Sequence, residues 1–313
     1  MRMSRALILT APAGRATLTQ ELTEAAAATL PAAQNLATRW LGTGEAWDAS
    51  YDAQANAVRT PVLARAAAAV GAAPVDVNLI DVLIDAGGAQ SRRKRLLIAD
   101  MESTIIEQEM LDELADFVGL RARIADITER AMRGELDFEA AIKERVGLLA
   151  GLDARVLDEV ADRITLMPGA EALVRTMKMN CAYCALVSGG FTVFTARVAA
   201  RLGFDEHQAN EFEIAGGKLT GRVREPILGR QAKLAALQRL MRQLGLERST
   251  TLAVGDGSND LAMLEAAGLG VAFRAKPMVR EAASAFDTGA VITHGDLTAL
   301  LYLQGYGRDQ FAV

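Results

Sequence analysis

Leu96-Leu97-Ile98-Ala99-Asp100-Met101-Glu102-Ser103-Thr104 sets a carboxylate directly behind a four-residue apolar run. The run reads as a buried strand, and Asp100 sits where that strand hands over to the next element. Thr251-Leu252-Ala253-Val254-Gly255-Asp256-Gly257 repeats the pattern later in the chain. Ligands of open parallel sheets bind in the crevice beyond the carboxyl ends of the strands, so two acidic strand ends predict a shared cation there. Asp100 alone also suits a helix N-cap, and it is the second acidic edge that turns the reading toward a site.

The sequence around this strand supports an open sheet. Four helical stretches, 108–118, 122–132, 138–149 and 154–164, follow with no strand between them, their apolar residues recurring at three- and four-residue spacing. A block inserted there cannot join the sheet and is expected to cover the site as a cap over 106–166. After Pro168-Gly169 the pattern alternates: helix to 179, strand 182–187, helix 192–202, strand 251–254, helix 260–267, strand 269–273. Such alternation predicts an α/β fold with a parallel sheet wrapped by helices. Residues 211–223 read as a hairpin around Gly216-Gly217. Residues 1–90, with a strand at 6–10, a helix at 18–28 and alternation at 75–84, read as a small α+β domain. A Gly-rich and basic linker over 85–95 joins it to the remainder, 91–313.

Composition excludes several function classes. With 34 basic and 39 acidic residues in 313, a net charge of −5 is too balanced for a nucleic-acid or membrane surface as main partner. A small-molecule substrate fits better. The first ten residues lack a secretory core and no stretch is long enough to span a bilayer, so a cytoplasmic location is expected. Cys181 and Cys184 form a C-x-x-C inside a strand-like run and are expected to be core residues; no second pair supports zinc. The basic run Arg92-Arg93-Lys94-Arg95 reads as solvated. Oligomeric state, a homodimer included, stays open.

Asp100 can act as a nucleophile toward phosphorus, and Glu102, two positions on, can move a proton. An anionic nucleophile and a phosphate dianion repel each other, which calls for a cation held with the help of Asp256. Hard oxygen ligands with open positions suit Mg²⁺. Ser188-Gly189-Gly190-Phe191 offers a hydroxyl and unhindered backbone N–H groups at a strand-to-helix junction, where an anion fits, although the same tripeptide also makes an ordinary turn. Lys233, at the start of a helix over 231–244, can bring positive charge to a transferring phosphoryl group, or can be a surface lysine. In Gly255-Asp256-Gly257-Ser258-Asn259-Asp260, Asn259 and Asp260 can orient their neighbours.

Taken in order, these four segments resemble the motifs of the haloacid dehalogenase superfamily, and most closely its phosphoserine-hydrolysing branch, over about residues 94–305. The cap segments Glu107-Gln108-Glu109, Ala131 to Phe138 and Lys143-Glu144-Arg145-Val146 strengthen the resemblance. It implies a Rossmann-like core and a Mg²⁺-dependent hydrolysis of O-phosphoserine through an aspartyl phosphate, the last step of serine biosynthesis. It further implies Asp100 as nucleophile, and Asp100, the Glu102 carbonyl and Asp256 as metal ligands. Ser188, Gly189 and Gly190 would bind phosphate, Lys233 would stabilise charge, and Asn259 would lie near substrate. Glu109 would meet the substrate ammonium, Arg145 its carboxylate, and Met132 and Phe138 would close the pocket, although both also suit the core of the cap bundle. The first ninety residues stand where relatives carry an ACT-like regulatory domain, matching that pattern loosely.

One position departs from the family pattern. Glu102 stands where that pattern has Asp as general acid and base, and one extra methylene moves a carboxylate by about 1.5 Å. The expectation is an active enzyme in which backbone or cap accommodates the longer side chain. A phosphatase for phosphothreonine or phosphohomoserine, or a non-catalytic amino-acid sensor, are the competing readings.

Overall fold

The computed structural model describes residues 2–30, 34–54, 58–84, 90–132 and 135–312. The first part runs β1 Arg2–Thr10, α1 Gln20–Ala28, β2 Gln34–Gly42, β3 Ala46–Gln54, α2 Thr60–Val70, β4 Asp76–Ile84 and the two-residue β5 Gln90–Ser91. These strands form one antiparallel sheet in the order β2-β3-β1-β4-β5, with the βαββαβ connectivity of a ferredoxin-like unit. Alternation along β1 divides its burial: Leu7 and Leu9 pack with Val62, Ala66 and Val70 of α2, whereas Ala6 and Ile8 join the core of the rest of the chain. Sequence reading found β1, α1 and β4 but not the hairpin β2–β3 or α2. Of the linker expected over 85–95, residues 85–89 lie outside the described residues, and Gln90–Ser91 form β5.

The second part continues with β6 Leu96–Ala99, α3 Met110–Phe117, α4 Arg121–Met132, α5 Phe138–Gly147, α6 Arg155–Ala161, α7 Ala170–Met179, β7 Tyr183–Phe191, α8 Thr192–Leu202, β8 Glu206–Asn210, β9 Phe212–Ala215 and β10 Lys218–Val223. It ends with α9 Arg230–Leu244, β11 Thr251–Gly255, α10 Leu261–Ala266, β12 Gly270–Phe273, α11 Pro277–Ala285, β13 Gly289–Ile292 and α12 Ala299–Leu303. Six strands pair in parallel in the order β13-β12-β11-β6-β7-β8. Both faces are covered, which is why β6 is apolar without alternation: Leu97 and Ala99 enter one core, Leu96 and Ile98 the other. β11 lies beside β6 with Ala99 opposite Val254, so Asp100 and Asp256 leave neighbouring strands at the same edge. The four helices α3 to α6 form the expected insertion, and β9 and β10 form the expected hairpin.

β4 docks onto β13 through side chains. Asn78 donates Nδ2 to the Val291 carbonyl at 3.0 Å and accepts from the Val291 amide at 2.9 Å. Asp76 accepts from the amides of Thr293 at 2.8 Å, His294 at 3.1 Å and Gly295 at 2.9 Å.

Three local expectations change. Cys184 is buried but Cys181 is exposed, because the chain turns at Cys181 with φ of 59° and the strand starts only at Tyr183. Ser188 to Gly190 lie within β7, which continues to Phe191 before α8 begins, so the glycines are strand residues and not a turn. The basic run Arg92 to Arg95, read as solvated, has Arg92 and Lys94 buried, tied to Asp48 and to the Ser249 carbonyl; β6 then stops at Ala99, and the Ile105 and Ile106 amides both bond the Met101 carbonyl, at 2.8 and 2.9 Å. Among the described residues no helix is long and apolar enough to cross a membrane.

Candidate active site

The Asp100 amide continues the ladder by bonding the Val254 carbonyl at 3.0 Å, which holds the side chain at the sheet edge. Its Oδ1 accepts from the Met101 amide at 2.8 Å and from Lys233 Nζ at 2.7 Å. Lys233 is no surface lysine: it is 2 % exposed in the first turn of α9 and also reaches Asp260 Oδ1 at 2.6 Å. Asp260 comes this close because residue 255 is glycine; a Cβ there would lie 2.3 Å from its Cγ. The other Asp260 oxygen accepts from the Gly257 amide at 3.0 Å.

Oxygens of Asp100, Asp256 and Asp260 all lie within 4.8 Å of one another. Burial and then the Asp260 charge push the Asp100 carboxyl well above the usual range, and burial with Asp260 pushes Asp256 up to about 6. Burial works against the Lys233 ammonium, but Asp100 and Asp260 outweigh it and hold its pKa above the ordinary value. Three carboxylates against one ammonium leave two negative charges to be balanced in a partly desolvated site. Hard oxygen donors in this number fit a divalent cation such as Mg²⁺.

Glu102 lies beside this cluster, its Oε1 accepting from the Met110 amide at the start of α3 at 2.9 Å. Burial, then the Glu109 charge, push its carboxyl up to about 8, against the opposing Met110 amide and Arg145. Gly190 makes room for it: a Cβ there would sit 2.9 Å from Oε2. Ser188, 2 % exposed, accepts from the Gly190 amide at 2.9 Å. Glu109, in the exposed mouth, accepts from Ser103 Oγ at 2.8 Å, and half-buried Arg145 bonds its own helix at Ala141. Phe138 reaches from the cap onto the core, where a Cβ on Gly189 or on Gly229 would lie 3.2 Å from its ring. Half-buried Asn259 stands in the loop after β11, its Oδ1 2.3 Å from where a Cβ on residue 257 would lie. The side chain of Met132, the last residue of α4, and residues 133–134 lie outside what is described.

One residue at this site does more than its sequence reading gave it, and another escaped that reading. Asp260 was expected only to orient its neighbours, whereas it shares Lys233 with Asp100. Asn210, 2 % exposed at the end of β8, donates to the carbonyls of Gly189 at 2.8 Å and Leu228 at 3.2 Å and accepts from the Leu228 amide at 2.7 Å. It therefore ties together the two glycine segments on which Phe138 rests. Asn210→Leu strands three part-buried backbone groups and is expected to cost about 1–3 kcal/mol, measured by chemical denaturation. An unchanged midpoint would remove Asn210 from that role.

A family model of haloacid dehalogenase-like hydrolases matches residues 97–265, more than half of the chain. The chain belongs to the haloacid dehalogenase-like hydrolase family. Two relatives within it are the phosphoserine phosphatase of Streptomyces coelicolor, 44% identical over 79% of this chain and 57% of its own, and phosphoserine phosphatase SerB2 of Mycobacterium tuberculosis, 44% identical over 74% and 55%. The match thus spans little more than half the length of these relatives. Among solved structures, a haloacid dehalogenase family hydrolase of Salmonella enterica serovar Typhi superposes over 96% of this chain and 98% of its own with a TM-score of 0.79 at 29% identity. A substrate-bound phosphoserine phosphatase complex covers 67% of this chain and 98% of its own, with a TM-score of 0.61 at 35% identity.

Proposed function

We propose that this hydrolase is a Mg²⁺-dependent phosphoserine phosphatase. The observation that carries the reading is Lys233 bridging Asp100 and Asp260 beside Asp256, at a sheet edge that the cap residues Glu109, Phe138 and Arg145 overlook. The phosphoserine phosphatases among the relatives support it. Asp100, the Glu102 carbonyl and Asp256 would hold Mg²⁺, which when bound supplies charge neutralisation for phosphate beside carboxylate. Both amide and ammonium donate to Asp100 Oδ1, leaving Oδ2 to attack phosphorus. The Oδ2–P bond forms as the P–O bond to serine breaks, and the Glu102 carboxyl gives its proton to the departing oxygen. Water then attacks the aspartyl phosphate, Glu102 takes its proton, and phosphate leaves with Asp100 restored. Lys233 and the Ser188–Gly190 segment hold the phosphoryl oxygens. Glu109 faces the substrate ammonium and Arg145 its carboxylate, the latter as a guanidinium fork. The ferredoxin-like first part is consistent with an ACT-like regulatory domain over 1–90, ahead of a phosphatase domain over 91–313 with its cap at 106–166.

Phosphate release from O-phospho-L-serine tests the reading, with O-phosphoethanolamine as the analogue lacking a carboxylate. Phosphoserine is expected to be preferred by about tenfold or more in kcat/KM, and Arg145→Ala to erase most of that preference. Equal turnover of both by the parent chain would sink the amino-acid assignment. Phosphothreonine or phosphohomoserine as best substrate would redirect it, and no release from any would leave the sensor reading. Chelation with EDTA is expected to abolish turnover and lower the thermal midpoint, and Mg²⁺ to restore both, because the cation offsets the two excess negative charges.

A further inference from the structure

At the opposite end of β6 from Asp100, roughly 20 Å away at strand rise, the two parts of the chain line a half-open cleft of about 340 Å³. Arg59, Ile80 and Asp81 line it from the first part, and Lys94, Leu269 and Thr288 from the amino-terminal edge of the parallel sheet. Its size falls at the lower end of small-molecule sites.

Its lining carries three cations, Arg59, Lys94 and Arg248, against two carboxylates, Asp81 and Glu247. Lys94 is 4 % exposed, yet its ammonium makes one hydrogen bond, to the Ser249 carbonyl at 2.6 Å, and among the described residues no ion pair. Arg59 donates to the carbonyls of Leu79 and Gly289, with Asp81 and Asp287 acting on it only through space. Of the two lining carboxylates, Asp81 is taken at 3.0 Å by Arg5, and Glu247 is exposed, as is its neighbour Arg248. A buried ammonium with no carboxylate in contact is unfavourable, and among the described residues two of its three N–H groups have no hydrogen-bond partner. Burial accordingly pulls the Lys94 pKa down to about 8 despite Asp81. The buried side chains of Ile80 and Leu269 add an apolar wall to the cationic one.

The geometry points to a second ligand site here, taking a small monocarboxylate with a short apolar tail: the carboxylate pairs with Lys94 and Arg59, and the tail lies against Ile80 and Leu269. The occupant bridges both parts of the chain and so tightens their contact. The inference does not rest on the activity proposed above.

Calorimetric titration and thermal melts of the full chain test it, with butyrate as probe, butyramide as its neutral counterpart and inorganic phosphate as the alternative anion. Butyrate is expected to bind saturably and raise the thermal midpoint, and butyramide to bind at least tenfold more weakly. Lys94→Met keeps the aliphatic stem and removes the charge; it is expected to weaken butyrate at least tenfold, to raise the midpoint of the ligand-free chain, and to leave phosphoserine turnover within twofold. Arg59→Met serves as a second variant should Lys94→Met fail to fold, with the same weakening expected. No butyrate binding, equal binding of butyramide, or butyrate binding indifferent to these variants would overturn the site. Phosphate binding more tightly than butyrate and lost in Lys94→Met would overturn the carboxylate assignment; phosphate binding that survives the variant belongs at Asp100 and leaves the proposal standing on the butyrate result.

Discussion

Asp100→Asn is expected to lower phosphate release from phosphoserine by about 10⁴-fold or more, the scale on which loss of a nucleophile is felt. The substitution keeps shape and the Oδ1 acceptor for the Met101 amide and Lys233, but an amide nitrogen replaces the oxygen that would attack phosphorus. Folding should survive it. Asp100 is a buried carboxylate whose charge is opposed by burial and by Asp260, so making it neutral relieves repulsion while Lys233 keeps Asp260 as partner. The thermal midpoint without metal is therefore expected to hold or rise, and the midpoint gain on adding Mg²⁺ to shrink, because one of three carboxylates is gone. Single-turnover phosphate release read beside thermal melts separates the two effects. A well-folded variant within tenfold of the parent rate would take Asp100 out of the chemistry.

Gly190→Ala should also be damaging, though less so, through a residue that carries no chemistry. Its new Cβ would stand 2.9 Å from one Glu102 oxygen and 3.0 Å from the other, and the Met110 amide holds the carboxylate on its other side. The carboxylate must then move by the order of 1 Å, a displacement that costs about a hundredfold in rate. Glu102→Asp withdraws the carboxyl by one methylene. In the double variant Gly190→Ala, Glu102→Asp the clash is gone, and activity is expected to recover at least tenfold over Gly190→Ala alone. The single variant Glu102→Asp is expected to stay active within about tenfold of the parent. If only Glu102→Asp proteins released phosphate, Glu102 would be no working acid and the chain as it stands no enzyme. If Gly190→Ala were silent, the glycine would not be what admits the longer side chain.

The parallel strands β6, β7, β11 and β12 were legible because strands buried on both faces must be apolar throughout, and the acidic residues behind β6 and β11 broke that pattern where chemistry was expected. The cap was legible for the opposite reason, since helices that bury one face advertise their period. Edge strands carry neither signal. Glu206-His207-Gln208-Ala209-Asn210 of β8 is polar, and Gly289-Ala290-Val291-Ile292 of β13 is short, so both were missed, and Asn210 with them. The part played by Asp260 depends on an absent atom, the Cβ that residue 255 lacks, and only the folded backbone brings that gap against the aspartate. Glu102 was read as a departure to be accommodated, and it took three dimensions to find Gly190 and the Met110 amide on either side of it.

The way β4 meets β13 has a consequence for the chain's solubility. Asn78 plays the part of a neighbouring strand for Val291, giving and receiving one hydrogen bond each, while Asp76 gathers the three amides that follow. An open sheet margin is otherwise a template for another copy to zip onto. Two polar side chains thus act as a selvedge, and a chain shorn of its first ninety residues would be left with a raw hem along β13, prone to stitch itself to its neighbours.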